Sequence, residues 1–450
     1  MGLSKENSGK ILLVSATILL YFFFGYYLER SQLFKFLGLY AVLFSAYFYF
    51  LKNNKNNFQF LLGISVLFRL VFLFSTPNLS QDFYRFIWDG RMLFEGLNPY
   101  LSLPETFINQ HIYPINQATE LYAGMGELNG SHYTNYPPIN QLCFFISAIF
   151  ANKSILGSVV VMRILIVLAD IGIIYFGKKI LAHLKMPVHN IFWYALNPFI
   201  IIELTGNLHF EPVMLFFFIW AIYLLIKNKW IWSAILIACS IAVKLIPFLF
   251  LPIFFQWFIK KETSLKNELL KLLLFYSIVL ITTLLFFLPF YSPTLIENYS
   301  NSVGLWFRNF EFNASFYYII REIGYLFRGY NEIAIIGKIS PILTIIFVGC
   351  ITFFRKNTTP KQLITAFLFG LSFYYFTTTT MHPWYLSTLI LLAVFTKYRF
   401  PIIWSLVIIF SYSAYSNEIY RENLFLVSLE YITVYGYLIW ELFFYPKKER

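Results

Sequence analysis

Charge is scarce in this chain. Asp, Glu, Lys and Arg together supply only 12% of its 450 residues, too little for the solvated surface of an ordinary soluble domain. Cysteine is scarcer still. Cys143, Cys239 and Cys350 stand far apart in apolar runs, a spacing that suggests neither a disulfide framework nor a metal site. The short basic loops lack a Gly-rich phosphate cradle or any other nucleotide motif, and there is no convincing internal repeat. Apolar residues, by contrast, are abundant: 59% are hydrophobic, with 54 Phe, 33 Tyr and 10 Trp, and the mean hydropathy is +0.65. Several runs meet or approach the roughly 20 apolar residues that cross a bilayer. The chain therefore reads as an all-α polytopic membrane protein.

The net charge of +12 would suggest a nucleic-acid partner in a soluble protein. Here it is explained by loops on one side of a membrane, and no nucleic acid is expected. Basic clusters fall at Lys52/Lys55, Lys178/Lys179/Lys185, Lys227/Lys229, Lys260/Lys261/Lys266, Arg355/Lys356/Lys361, Lys397/Arg399 and Lys447/Lys448/Arg450. All seven lie inside if both termini are cytoplasmic and the bundle has about 14 transmembrane helices. The first apolar run, residues 11–28, follows Lys5 and Lys10 but has no small-residue cleavage site, so it is expected to stay as a helix. Two local choices complete the count. Residues 139–150 are too short to span and lie along the outer surface. Residues 230–259 form two short helices that meet near Lys244 and Pro247, since proline removes a backbone hydrogen bond. On this topology chemically dense segments gather outside, in two long loops at 76–154 and 291–333. ATP and nucleotide sugars are absent there, so an activated donor has to come from the membrane itself.

The densest segment is DFYRFIWDGRMLFEGLNPY, residues 82–100. In a helix Asp82, Arg85 and Asp89 share one face. They read either as a solvated ion-pair network or as a proton acceptor beside an anion-holding cation. Glu203-Leu-Thr-Gly-Asn-Leu-His209-Phe-Glu211-Pro joins two spans through a short turn. Such a turn needs Gly and Asn, not two carboxylates and an imidazole. Glu203, His209 and Glu211 are too few for a typical oxygen-ligand site and too unlike a zinc set, so a metal is the minor reading. Arg163 and Asp170 lie seven residues apart in one span. Intramembrane charges are normally paired, and these read as a packing ion pair or as a functional one. Lys244 has no acidic neighbour in sequence and either snorkels or holds an anion. The run from Arg308 through Glu311 to Ser315 contains Asn313-Ala-Ser315, read as part of a motif before a glycosylation acceptor. In His382-Pro-Trp384-Tyr385 the aromatics suit the interfacial belt and could also stack on sugar rings. His382 has no obvious packing task.

The spacing D-F-Y-R-F-I-W-D-G-R with Gly96-x-Asn98-Pro99-Tyr100 resembles the first outer loop of bacterial type C glycosyltransferases. Within them it is most similar to polyprenol-phosphate-mannose-dependent mannosyltransferases. Tyr136-Pro137-Pro138, Arg163 with Asp170, Asn197-Pro198, Glu203 to Glu211, Lys244-x-x-Pro247 and His382-Pro-Trp-Tyr385 extend the match over residues 58–400. That range is taken as the transferase module, preceded by two helices in 1–57 and followed by helices and a basic tail in 401–450. Many members carry the acidic loop after their first helix, whereas two spans precede it here.

The resemblance implies transfer of a hexose, mannose by similarity, with inversion from a polyprenyl-phosphate donor to a glycan or glycolipid acceptor. The work would be done on the outer face of the plasma membrane, with no cofactor or metal. It implies Asp82 as general base, with Asp89 as rival. Arg85, Arg91, Arg163, Lys244 and His382 would hold the donor phosphate. Tyr84, Trp88, Tyr136, Glu203, His209, Glu211, Glu311, Trp384 and Tyr385 would position sugar or acceptor. A flippase or transporter of a lipid-linked sugar is the alternative, followed by an O-antigen polymerase or ligase.

Overall fold

A computed structural model describes residues 5–260, 264–308, 310–417 and 420–444. Lys261, Lys447, Lys448 and Arg450 lie outside the described residues, as do the side chains of Lys5 and Arg308. The described chain is helical, with one isolated bridge between Phe312 and Thr380. Six described helices are long and apolar enough to cross a membrane: Ser8–Tyr26, Leu33–Asn53, Ile155–His183, Leu265–Phe290, Ile333–Phe354 and Leu424–Phe444. A seventh arises if Ile200–Gly206 and Glu211–Ile226, bent by 111° at their junction, count as one span. Shorter apolar helices fill the remainder.

The breaks in these helices matter most, because freed backbone groups need partners where water is absent. Ile200–Gly206 is a π-helix that gives way to Leu208 with φ of +60°. The carbonyls it releases are collected by Arg163. Its Nε donates to Thr205 O (2.8 Å) and its Nη2 to Gly206 O (2.8 Å). Its Nη1 reaches Leu73 O (2.9 Å) and Ser75 O (2.8 Å), where the Phe58–Leu70 helix has ended. Asn207 supports the same junction by accepting from the Asn78 and Leu79 amides (3.2 and 2.8 Å). Asn78 in turn donates to Phe24 O and Leu28 O (2.8 and 2.7 Å), tying the loop after the first helix to the segment that leads into Asp82.

Arg163 and Asp170 are not a pair. Asp170 accepts from Arg69 Nε at 2.7 Å and from Tyr194 Oη at 3.0 Å, and Arg69 also bonds to Ser65 O and Ala195 O. Sequence proximity on one helix misassigned the partner, which comes from another helix altogether.

Residues 230–259 do break. Trp230–Ile241 ends, Lys244 sits in the turn, and a 3-10 helix runs over Ile246–Phe254 with prolines at 247 and 252. Pro138–Ala151 is a single short helix packed on Asp82–Phe94. The Phe86 and Phe144 rings stack at 4.6 Å, and a Cβ added at Gly90 would lie 2.3 Å from Phe144 O. The glycine between Asp89 and Arg91 is thus a close-approach point.

The Leu33–Asn53 and Leu424–Phe444 helices are bonded into the body. Tyr47 donates to Trp193 O at 2.8 Å and Tyr40 to Ser405 O. Glu441 accepts from the Arg399 and Phe400 amides (2.6 and 3.0 Å), capping the Phe400–Val407 helix.

Candidate active site

A cavity of about 570 Å³ opens where the broken helices meet, walled by residues far apart in sequence, including Asp82, Tyr136, His209, Lys244, His382 and Trp384. Asp82 opens the Asp82–Phe94 helix as its first residue, and its carboxylate takes a long contact from Asn129 Nδ2 (3.4 Å) with the Ser80 hydroxyl also beside it. Burial pushes its carboxyl above the ordinary carboxylate range, while the Lys244 ammonium and the Asn129 amide pull it back down. A loosely held carboxylate of raised proton affinity is suited to accept a proton from a bound hydroxyl.

Across the cavity the Lys244 ammonium is ion-paired with Glu211 and lies 6.0 Å from the Tyr385 ring centre. Glu211 itself is fully buried behind the wall. The aromatic side is a column of rings: His209 on Trp384 at 3.9 Å, Trp384 on His382 at 4.6 Å, and His382 on Phe312 at 5.3 Å. The parallel bridge secures that column, with Phe312 N donating to Thr379 O (3.1 Å) and Met381 N to Phe312 O (2.8 Å). Burial, reinforced by the Lys244 charge, pushes the His382 imidazole down to about 3, so it is neutral at physiological pH. Behind His209, Glu203 accepts from Tyr412 at 2.6 Å, and its other oxygen stands 4.0 Å from His209 Nε2. Neither of those facing atoms has a hydrogen-bond partner among the described residues. No group of three or more His, Cys, Asp or Glu side chains among the described residues is placed to hold a metal ion.

The family model described as "alpha-(1→6)-mannopyranosyltransferase, N-terminal domain" matches residues 12–260. The chain belongs to this family. Alpha-(1→6)-mannopyranosyltransferase A of Mycobacterium tuberculosis is 25% identical over 187 residues, which is 41% of this chain and 34% of that protein. The chain thus aligns with about a third of its relative's length. The family match takes in Asp82, His209, Glu211 and Lys244 but stops before the His382 to Tyr385 motif, which the fold brings to the same cavity.

Of the residues proposed from sequence, Asp82, Tyr136, His209, Lys244, His382, Trp384 and Tyr385 reach the cavity wall, with Glu203 and Glu211 directly behind it. The others do not line it. Asp89 is fully buried, accepting from Arg85 Nε (2.8 Å) and Gln141 Nε2 (3.0 Å). Arg85 also holds Asn129 O and His132 O, bracing the loop that faces Asp82. Arg91 is buried and bonded to Asn116 O and Gln117, and Arg163 is occupied as described above. These three arginines, expected to hold phosphate, instead satisfy carbonyls and side chains inside the protein. Trp88 is buried near Phe107, and Tyr84 packs against Phe83 and Gly124. Glu311 pairs with Arg321 (2.9 Å) and accepts from Tyr317. Sequence reasoning missed Arg30, Asn129 and Tyr415, which also line the cavity. Arg30 and Tyr415 lie outside residues 58–400, in parts of the chain where no motif drew attention to them.

Proposed function

We propose that this protein is a membrane mannosyltransferase that moves mannose from a polyprenyl-phosphate carrier to a glycan or glycolipid acceptor. The observation that carries the reading is the meeting of Asp82, Lys244 and the His209–Trp384–His382 column in one cavity, in a chain of the mannopyranosyltransferase family. Asp82 takes the proton of an acceptor hydroxyl as the oxygen attacks the anomeric carbon. The bond from that carbon to the phosphate oxygen breaks, and the electron pair leaves on the carrier phosphate. Lys244, poised between Glu211 and the cavity, offers charge to the phosphate as its negative charge grows. Tyr385 gives a flat face for a sugar ring, and Trp384, held between the His209 and His382 rings, stiffens the wall beside it. Attack opposite the departing phosphate inverts the anomeric centre, and the relative's name points to an α-(1→6) product.

In this reading the short apolar helices join the long ones to make about fourteen crossings. The chain runs in the plasma membrane with both termini cytoplasmic and the cavity opening outward, in keeping with the positions of the basic clusters. Residues 58–400 carry most of the site, and the flanking segments add Arg30 and Tyr415 to the cavity wall. The test is product analysis: purified protein, polyprenyl-phosphate mannose and a mannose-terminated acceptor should yield a product whose new linkage is inverted and α-(1→6). A product made equally well from a nucleotide-linked mannose would refute the lipid-donor reading.

A further inference from the structure

The cavity wall carries a cation that the transferase reading leaves unused. Arg30 sits in the loop between the first two helices and lines the cavity together with Asp82 and Lys244. Lys244 is already matched by Glu211, and Arg85, Arg91 and Arg163 are committed elsewhere. Arg30 is half-buried and has no carboxylate at ion-pair distance among the described residues. Its guanidinium lies over the Tyr415 ring at 4.6 Å. A ring face restrains a guanidinium while leaving its N–H donors free for a planar, two-point grip on an anion.

The position is built into the fold. Asn78 bonds Leu28 O, two residues before Arg30, and its own amide is held by Asn207 at the broken helix. Leu79, Ser80, Gln81 and Asp82 then continue directly into the cavity wall. The loop bearing Arg30 and the segment bearing Asp82 are therefore cross-linked through one side chain. A cation fixed relative to the proton acceptor is what a substrate carrying an anion beside its reacting centre requires.

We propose that Arg30 is the principal anion anchor of the cavity and grips the phosphate of a prenyl-linked substrate. This rests on the transferase reading for its place in the reaction, but it concerns binding and is testable apart from turnover. The full chain in non-ionic detergent would be titrated with farnesyl phosphate, farnesol and inorganic phosphate as probes, in wild type, Arg30→Gln and Arg30→Lys. Loss of a charge-assisted grip should weaken farnesyl phosphate on the order of 10-fold or more in Arg30→Gln, with Arg30→Lys losing markedly less. Farnesol should bind all three proteins equally. Equal affinity of wild type and Arg30→Gln for farnesyl phosphate overturns the proposal, as does a parallel loss for farnesol, which would mark a packing role. Inorganic phosphate binding as tightly as farnesyl phosphate would assign the anchor to free phosphate and overturn the lipid substrate. Arg30-dependent binding in a protein that transfers no mannose would uphold the anchor and sink the transferase reading. Wild-type KM and kcat in Arg30→Gln would do the reverse.

Discussion

Two aspartates seven residues apart should fail in opposite ways when each is changed to Asn. Asp82 lies on the cavity wall with a 3.4 Å contact from Asn129 and the Ser80 hydroxyl beside it, both of which an Asn oxygen can still accept. Burial already works against its charged form, so Asp82→Asn should fold as well as wild type. The loss falls on chemistry. Removing a positioned proton acceptor costs on the order of 10²- to 10⁴-fold in rate, or about 2.7–5.4 kcal/mol of barrier at 1.36 kcal/mol per tenfold. Asp89 is fully buried and bonded to Arg85 and Gln141. Its amide would leave the Arg85 guanidinium uncompensated in the interior, a defect of about 3–5 kcal/mol in stability. The assay is paired: label transfer per folded molecule, and thermal unfolding of each detergent-purified variant. Asp82→Asn retaining more than a tenth of wild-type transfer would refute the base assignment. Asp89→Asn of unchanged stability and equally lost transfer would refute the division of labour.

Two further outcomes follow from the same structure. Asn129→Ala removes a contact that holds the Asp82 carboxyl down. Asp82 must be ionised to accept a proton, so the acid limb of the pH–rate profile should move to higher pH, and an unmoved limb would contradict the base role. Asp170→Asn leaves Arg69 partly unpaired at 1% exposure and should destabilise by about 3–5 kcal/mol. The double change Arg69→Met, Asp170→Leu should recover much of that loss in thermal unfolding, and no recovery would contradict the pairing.

Much of the site was legible because its chemistry stood out against an apolar background. Lys244, Asp82, and the His209 and His382 motifs were each conspicuous as polar residues in a chain with little charge, and they do converge. The break near Lys244 was legible too, since Pro247 announces it. Arg163 was misread for a physical reason. Its partners are carbonyls freed by two broken helices, and backbone acceptors leave no mark in sequence. Asp170 was misassigned because the pairing rule for buried charges says that a partner exists, not which helix supplies it. Arg85 and Asp89 share a helix face as expected, but only packing shows that this face turns inward while Asp82 turns to the cavity. Arg30 was invisible because its place on the cavity wall depends on Asn78 tying the end of the first helix and its following loop to the segment that leads into Asp82.

The most direct measurement follows labelled mannose on a polyprenyl-phosphate carrier in liposomes holding the purified wild-type protein, with and without a mannose-terminated acceptor. Label should leave the lipid only when acceptor is present and should appear in the glycan. Label that stays on intact lipid but crosses between leaflets would contradict it and make the protein a transporter.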